Sequence, residues 1–489
     1  MPLTATFLDA YLSGFYHKSL IPVDLRWLLV VGAVFAFMQY LLAVPAELRH
    51  LPKVSPYATI WSYARRESVD SRVRRLILPF ARRGEGVVLV YLLGKWALHV
   101  IDADLVKTVC QDIDRFPKKT YQDHLHFRFL SGPNVVFSNG EMWKRHSASV
   151  KAAFDREIPI HRFVALSYEL FERMGAGGVY RFSDLVQRYT LDVVGTALLG
   201  HNFQAMQGSK DSFVDHFNRV MSRIATPTRL MFPLLDQWFP RHAVIADINA
   251  LNARYDALLQ LKRQDLGLDL LSYLLEDSTL SNEELRSNLA ILFSAGHDST
   301  SGALSTAIYH LAKHPEFQQK ARDEVLSVLA GRIEPTLRDF YNTPFLNACI
   351  KEALRINSPI SLLPARWTPE SVTLGKYYIP AGTFLVSNVC AVHHNDTNWP
   401  QAQKFDPYRF IGPARSRAAI NIPFGTGPRQ CVARQFSLFE QRTLLCMLLV
   451  NYEWVLPQNS VHAKQVQNGF GAFGLSIPHH LDIEFLRRK

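Results

Sequence analysis

The chain has 489 residues, 48% hydrophobic and only 20% charged, which is too apolar for disorder and long enough to bury a large core. A formal net charge of +11 draws nucleic acid, anionic lipid and acidic proteins alike. The basic residues are spread out with no aromatic-interleaved stripe, so no nucleic-acid partner is expected. Five cysteines, widely spaced and without a CxxC, argue against a disulfide framework and a zinc site and fit a reducing compartment.

Residues 1–26 form a lead-in with Phe7, Leu8, Tyr11, Leu12 and Phe15 at helical spacing, as in a segment lying along a lipid interface. From Trp27 to Val44 the run "WLLVVGAVFAFMQYLLAV" carries no charge. At ~1.5 Å per residue it spans about 27 Å, the core thickness of an endoplasmic-reticulum bilayer. A single transmembrane anchor is expected over 27–44, in preference to a cleaved signal peptide or a buried core helix. Arg49, Lys53, Arg65, Arg66, Arg72, Arg74 and Arg75 follow it against Lys18 and Arg26 before it, which places the remaining chain in the cytosol. Pro45, Pro52 and Pro56 stiffen a hinge over 45–59, and residues 60–489, free of repeats and linkers, form one large domain.

Within that domain "GVVLVYLL" and "WALHVI" are two β-rich runs at hairpin spacing, with the turn expected at Gly94-Lys95. Asp102 is placed to cap the next helix. The middle is helical through "FSDLVQRYTLDVVGTALLG" and "RYDALLQLKRQ". Ser281-Asn-Glu-Glu284 is a capping box that opens a helix of about 45 Å running past Leu311 towards Pro315. Another helix starts near Pro344 and ends before Pro359, and the short runs "SVTLGKYYIP" and "TFLVSNVC" are strands. The expected fold is mainly α with small β-sheets.

The stretch "PFGTGPRQCVARQ" then places Cys431 after a loop containing Gly425 and Gly427, at the expected first turn of an apolar helix. The positive end of that helix lowers a thiol from its usual ~8.5 and favours a metal-ligating thiolate. Arg429 can reach an anionic group beside the metal, and an iron porphyrin carries two carboxylates. A lone cysteine is more often a buried cap, but in Phe424-x-x-Gly427-x-Arg429-x-Cys431-x-Ala433 the Phe, Gly, Arg and Cys at this spacing arise by chance in about one chain in a thousand of this size. This pattern resembles the haem-binding loop of the cytochrome P-450 family, the thiolate-ligated haem proteins.

Other stretches match the same family in its order. Glu352-Ala-Leu-Arg355, with Arg409 in Phe405-x-Pro407-x-Arg409-Phe410, resembles its buried Glu-Arg-Arg network. His393 and His394, between them, read as structural and not as ligands. Ala295-Gly296-His297-Asp298-Ser299-Thr300 resembles its oxygen-activating segment, in which Gly296 would let the helix open and an acid beside an alcohol relays protons. Ser299 occupies the usual threonine position with Thr300 after it, so either hydroxyl is a candidate. "EMWKRHSASV" supplies Trp143 but has Ser147 where the family has an arginine. Propionate pairing is therefore assigned to Trp143, Arg429 and Arg366 of "LPARWTPE", with Arg145 exposed.

The resemblance spans about residues 45 to 485, and the sequence style is nearest to membrane-anchored, microsomal-type and fungal members. It implies the cytochrome P-450 fold behind an N-terminal anchor, haem b bound at Cys431, and oxygen insertion into a lipophilic small molecule. It also implies NADPH electrons through a flavoprotein reductase, with cytochrome b5 as a further donor, at the endoplasmic-reticulum membrane. A basic face around Arg429, Arg434 and Lys144 suits an acidic reductase. Secondary-metabolite scaffolds are the favoured substrates and a fatty acyl chain the alternative. A reductase-independent haem-thiolate isomerase or dehydratase and a non-catalytic haem-binding protein are rivals. The pocket is expected from parts of residues 118–137 and 205–240, Phe293, Ile360–Leu363 and "GFGAFG" at 469–474.

Overall fold

A computed structural model describes residues 23–119, 125, 132–156, 158–208, 212–224, 226–412, 420–469 and 475–488. The interfacial segment expected before residue 23, parts of the expected pocket (120–124, 126–131, 209–211 and 225) and the turn at 470–474 lie outside them. The chain divides into two units, Met1–His50 and Leu51–Lys489.

In the first unit, α1 (Val23–Leu42) carries exposed Trp27, Leu28, Leu29, Val30, Val31, Val34, Phe35, Phe37 and Tyr40. Its uncharged part, from Trp27 to Leu42, rises about 24 Å, short of the ~30 Å hydrocarbon core of a typical bilayer. Among the described residues no helix is long and apolar enough to cross a membrane.

The second unit is mostly helical. Its longer helices are α2 (Gly140–Arg156), α3 (Ile160–Met174), α4 (Phe182–Val193), α5 (Ser212–Ile224), α6 (His242–Gln264), α7 (Asn282–Lys313), α8 (Pro315–Leu329), α9 (Pro344–Ile356) and α10 (Arg434–Asn451). α7 is the central element: the expected capping box starts it, with the Ser281 side chain accepting from the Glu284 N–H and Glu284 accepting from the Ser281 N–H. Most of its residues from Leu285 to Ala312 are buried in the main apolar core.

The hairpin forms from β1 (Val87–Leu92) and β2 (Lys95–Val100), with Leu92 opposite Lys95. The turn is therefore Leu93-Gly94, one residue earlier than expected, with φ of 53° and 74° as a type I′ turn demands. Asp102 accepts from the Asp104 and Leu105 N–H groups as a cap. β3 (Gly177–Arg181) pairs with a strand near the C-terminus, described below. β4 (Arg366–Trp367), β5 (Val372–Leu374), β6 (Tyr377–Ile379) and β7 (Phe384–Ser387) follow α9. β7 runs parallel to β2 and antiparallel to β4, giving a four-stranded sheet in the order β1-β2-β7-β4. β8 (Tyr452–Val455) and β9 (Asp482–Arg487) join β3 in the order β3-β9-β8.

Candidate functional site

The loop before α10 is built by backbone contacts. The Cys431 N–H donates to Phe424 O (3.0 Å), and the Gln430 N–H to Gly427 O (3.0 Å). Gly427 has φ +72°, and a Cβ there would lie 2.7 Å from Cys110 O, so the loop needs glycine on both counts. α10 begins only at Arg434 with Ala433 as its cap, so Cys431 precedes the helix instead of occupying its first turn. The expected lowering of the thiol is reversed as well. Burial pushes Cys431 above the ordinary thiol value, with the Ala433 N–H and Arg434 pulling against it.

By solvent accessibility Cys431 is nonetheless exposed. Both hold for a residue that solvent reaches while much protein surrounds its thiol. Ala295 in mid-α7 is also exposed, flanked by buried Leu292, Phe293 and His297. A hydrogen bond between Thr300 Oγ1 and Ser437 Oγ (3.1 Å) ties the two helices, with Ala295 and Cys431 each lying N-terminal of that tie.

Around the loop lies a cluster of cations. Arg429 turns inward, donates to Val135 O (3.3 Å), Ser138 O and Asn139 Oδ1 (3.1 Å), and stacks 4.3 Å over the Trp143 ring. It is therefore not part of a surface basic face, as the sequence reading had it; Arg434 is exposed, and exposed Lys144 pairs with Glu141 (2.6 Å). Arg366 is buried on β4 and donates to Phe116 O. A third cation went unrecognised in the sequence: Lys118, buried and bridged to Arg366 across the sheet edge, with its Nζ donating to Pro364 O (3.2 Å). Burial and the two guanidiniums push Lys118 well below the ordinary lysine value, and burial with Arg366 lowers Arg429 to about 9. Burial likewise lowers Arg366. Among the described residues none of the three forms an ion pair with a carboxylate. Such a cluster suits a group that brings its own anionic charge.

α7 presents the oxygen-activating segment without the expected opening. It is continuous α-helix from Asn282 to Lys313, and Gly296 is instead a packing position, where a Cβ would sit 3.0 Å from Val194. Ser299 Oγ donates to Ala295 O (2.7 Å), one turn back on the same face as exposed Ala295. Thr300 is buried and engaged with Ser437. Asp298 accepts from Gln187 Nε2 of α4 (3.1 Å) and lies 3.3 Å from His297 Nε2. Phe293, expected to line the pocket, is fully buried among Phe203, Phe213, Phe217 and Tyr255.

The Glu-Arg-Arg network is present. Arg355 donates to both Glu352 oxygens (2.7 and 2.8 Å), and Arg409 Nε lies 3.3 Å from Glu352 Oε1. His393 Nε2 accepts from the Ile422 N–H (3.0 Å) and His394 Nδ1 contacts Gln403 Nε2 (2.8 Å), so both are structural. Arg145 is exposed as expected and pairs with Glu284.

Comparison with known proteins supplies the context for this site. Human cytochrome P450 4F11 is 28% identical over 382 residues, covering 69% of this chain and 72% of that protein. The cytochrome P450 monooxygenase xanG of Aspergillus fumigatus is 25% identical over 468 residues, covering 87% of this chain and 86% of its own. Rat cytochrome P450 4F4 is 35% identical over 214 residues, 42% of this chain and 41% of that protein. The model of the family described as cytochrome P450 matches residues 55–480. The chain belongs to the cytochrome P450 family, monooxygenases that bind haem b through a thiolate and draw NADPH electrons through a reductase.

Proposed function

We propose that Cys431 is the axial ligand of haem b and that the protein inserts one atom of dioxygen into a lipophilic small molecule. The observation that carries this is the exposed Cys431 two residues after half-buried Arg429, which faces the buried cations Lys118 and Arg366. Lys118, Arg366 and Arg429 would hold the two propionates, with Trp143 packed under Arg429, and Phe424 and Gly427 shape the loop. Bound haem supplies the oxygen-activating redox chemistry. Ligation removes the thiol proton whatever its value in the free chain.

Ser299 is the hydroxyl assigned to proton delivery, since it shares the face of Ala295 while Thr300 is spent on Ser437. Asp298 supplies the proton and Gln187 holds its carboxylate. The Glu352–Arg355–Arg409 network is structural. α1 anchors the chain at the endoplasmic-reticulum membrane through its exposed apolar side chains; carbonate extraction releasing the full-length chain would contradict it. A secondary-metabolite scaffold is the substrate we favour, with a fatty acyl chain as the competitor in a binding-spectrum panel.

The test is the carbon monoxide difference spectrum of the reduced protein with Cys431→Ala beside it. A thiolate-type band that vanishes in the variant, with reductase-dependent NADPH oxidation coupled to substrate, is expected. Turnover without a reductase would favour an isomerase or dehydratase instead.

A further inference from the structure

We propose that Asn139 is the positioning residue of the cation cluster, its one amide holding Lys118 and Arg429 beside each other to receive an anionic group. This rests on the reading of Lys118, Arg366 and Arg429 as propionate partners given above. Asn139 Oδ1 accepts from the Lys118 N–H (2.9 Å) and from Arg429 Nη2 (3.1 Å), and Asn139 Nδ2 donates to Lys118 O (3.0 Å). The two bonds to Lys118 hold the amide by both its ends, so the oxygen that meets the guanidinium is already aimed. Turning the amide over would set its hydrogens against two donors, which fixes its orientation. The Asn139 carbonyl also accepts from the Trp143 N–H (3.3 Å), and the Trp143 ring lies 4.3 Å under Arg429. Arg366 joins through the sheet edge. The Lys119 N–H donates to Ala365 O (3.0 Å) and the Trp367 N–H to Pro117 O (3.1 Å), on either side of the Lys118–Arg366 bridge.

The chemistry of the side chain matters as much as its place. Three cations gathered among carbonyls repel one another, and a group that holds them can do so with or without charge of its own. A carboxylate at position 139 would pair with Arg429 and cancel part of the attraction for an incoming anion. The amide accepts the same hydrogen bonds and leaves the positive charge in place. Asn139 is itself exposed, so replacing it disturbs no core packing.

The test follows haem transfer from the holoprotein to excess apomyoglobin, which reads release without turnover. Asn139→Ala and Arg429→Gln should each speed release roughly tenfold. The double variant should fall clearly short of the product of the two effects, because the residues share a bond. In Asn139→Ala the propionate bending bands of the resonance Raman spectrum should shift while the carbon monoxide band of the reduced protein stays thiolate-type. Asn139→Asp separates positioning from general stability: release should again be faster, yet the haem-free chain should unfold at higher denaturant than the wild type. Wild-type release from Asn139→Ala, or a double variant at the full product, overturns the inference while the reading of the cations stands. So does an Asn139→Asp chain that holds haem as tightly as the wild type. If Arg429→Gln itself releases haem no faster, the reading of Arg429 fails and takes this inference with it.

Discussion

Two groups of charge in this molecule both hold more cations than carboxylates, but only one of them contains a carboxylate. At Glu352 a fully buried carboxylate is shared by Arg355 and Arg409, and the remaining Arg355 N–H groups reach His393 O (2.7 Å) and Ala402 O (2.9 Å). At Lys118, Arg366 and Arg429 three cations gather with carbonyls and an amide as partners and no described carboxylate. Desolvation penalises charge in both places. The first set has its carboxylate within the chain; among the described residues the second has none. The difference separates a knot whose carboxylate lies in the chain from the set proposed to meet the propionates.

The largest expected effect comes from breaking the knot. Glu352→Gln leaves Arg355, itself fully buried, facing an amide, and removing one partner of a buried pair costs about 3–5 kcal/mol. That is a large part of the ~5–15 kcal/mol that holds a domain folded. Denaturant titration reads it directly. A loss under about 1 kcal/mol would show that the network is not the stabilising half of the comparison.

Arg366→Gln should behave in the contrary way. With haem bound, a charge-assisted hydrogen bond worth about 1.5–3 kcal/mol is lost, so haem affinity falls roughly ten- to a hundredfold. Without haem, the unfolding midpoint should hold or rise, because a crowded cation is gone. A haem-free chain that unfolds as readily as Glu352→Gln would erase the distinction.

The two sets were not equally legible in the sequence. Glu352 and Arg355 are three apart on one helix, and Arg409 sits in a recognisable run, so the knot could be named in advance. So could Arg429 and Arg366, but Lys118 lies in "FPKKTYQ", where nothing distinguishes it from a surface lysine. Its burial comes from the bridge to Arg366, a contact between distant parts of the chain. The capping box of α7 and the Asp102 cap are local and were foreseen. α7 runs unbroken through Gly296, which packs close to Val194, a contact only the tertiary fold decides. The thiol value at Cys431 failed for a similar reason: helix-end electrostatics were visible, and burial was not.

Acid should act on two buried histidines, one of them beside the knot, before it acts on carboxylates. Burial holds His393 and His99 down at about 3, against about 6.5 in an unfolded chain. Above 6.5 neither state is protonated; below it the unfolded chain binds the protons first. Stability is therefore full above about pH 6.5 and is lost as pH falls towards 3, by about 1.4 kcal/mol per unit for each ring. Denaturant midpoints between pH 7.5 and 5 should decline. A flat profile would mean that these rings titrate normally, and His393 Nε2 could not then accept from Ile422.

The smallest effect should come from Lys118→Met, and its sign is the sharpest test of the cation cluster. Because burial and the two guanidiniums depress Lys118, the folded chain without an anion disfavours its charged form, a penalty present at neutral pH that disappears above the unfolded value of about 10.4. Methionine keeps the stem and discards the amine, so the haem-free chain should gain stability, on the order of 1 kcal/mol. With haem present the propionates favour the ammonium and bring a proton with them, so wild-type affinity should weaken as pH rises. The variant should bind less tightly at neutral pH and lose that part of the pH dependence. Equal pH dependence in both chains would place the proton elsewhere and reduce the cluster to two arginines.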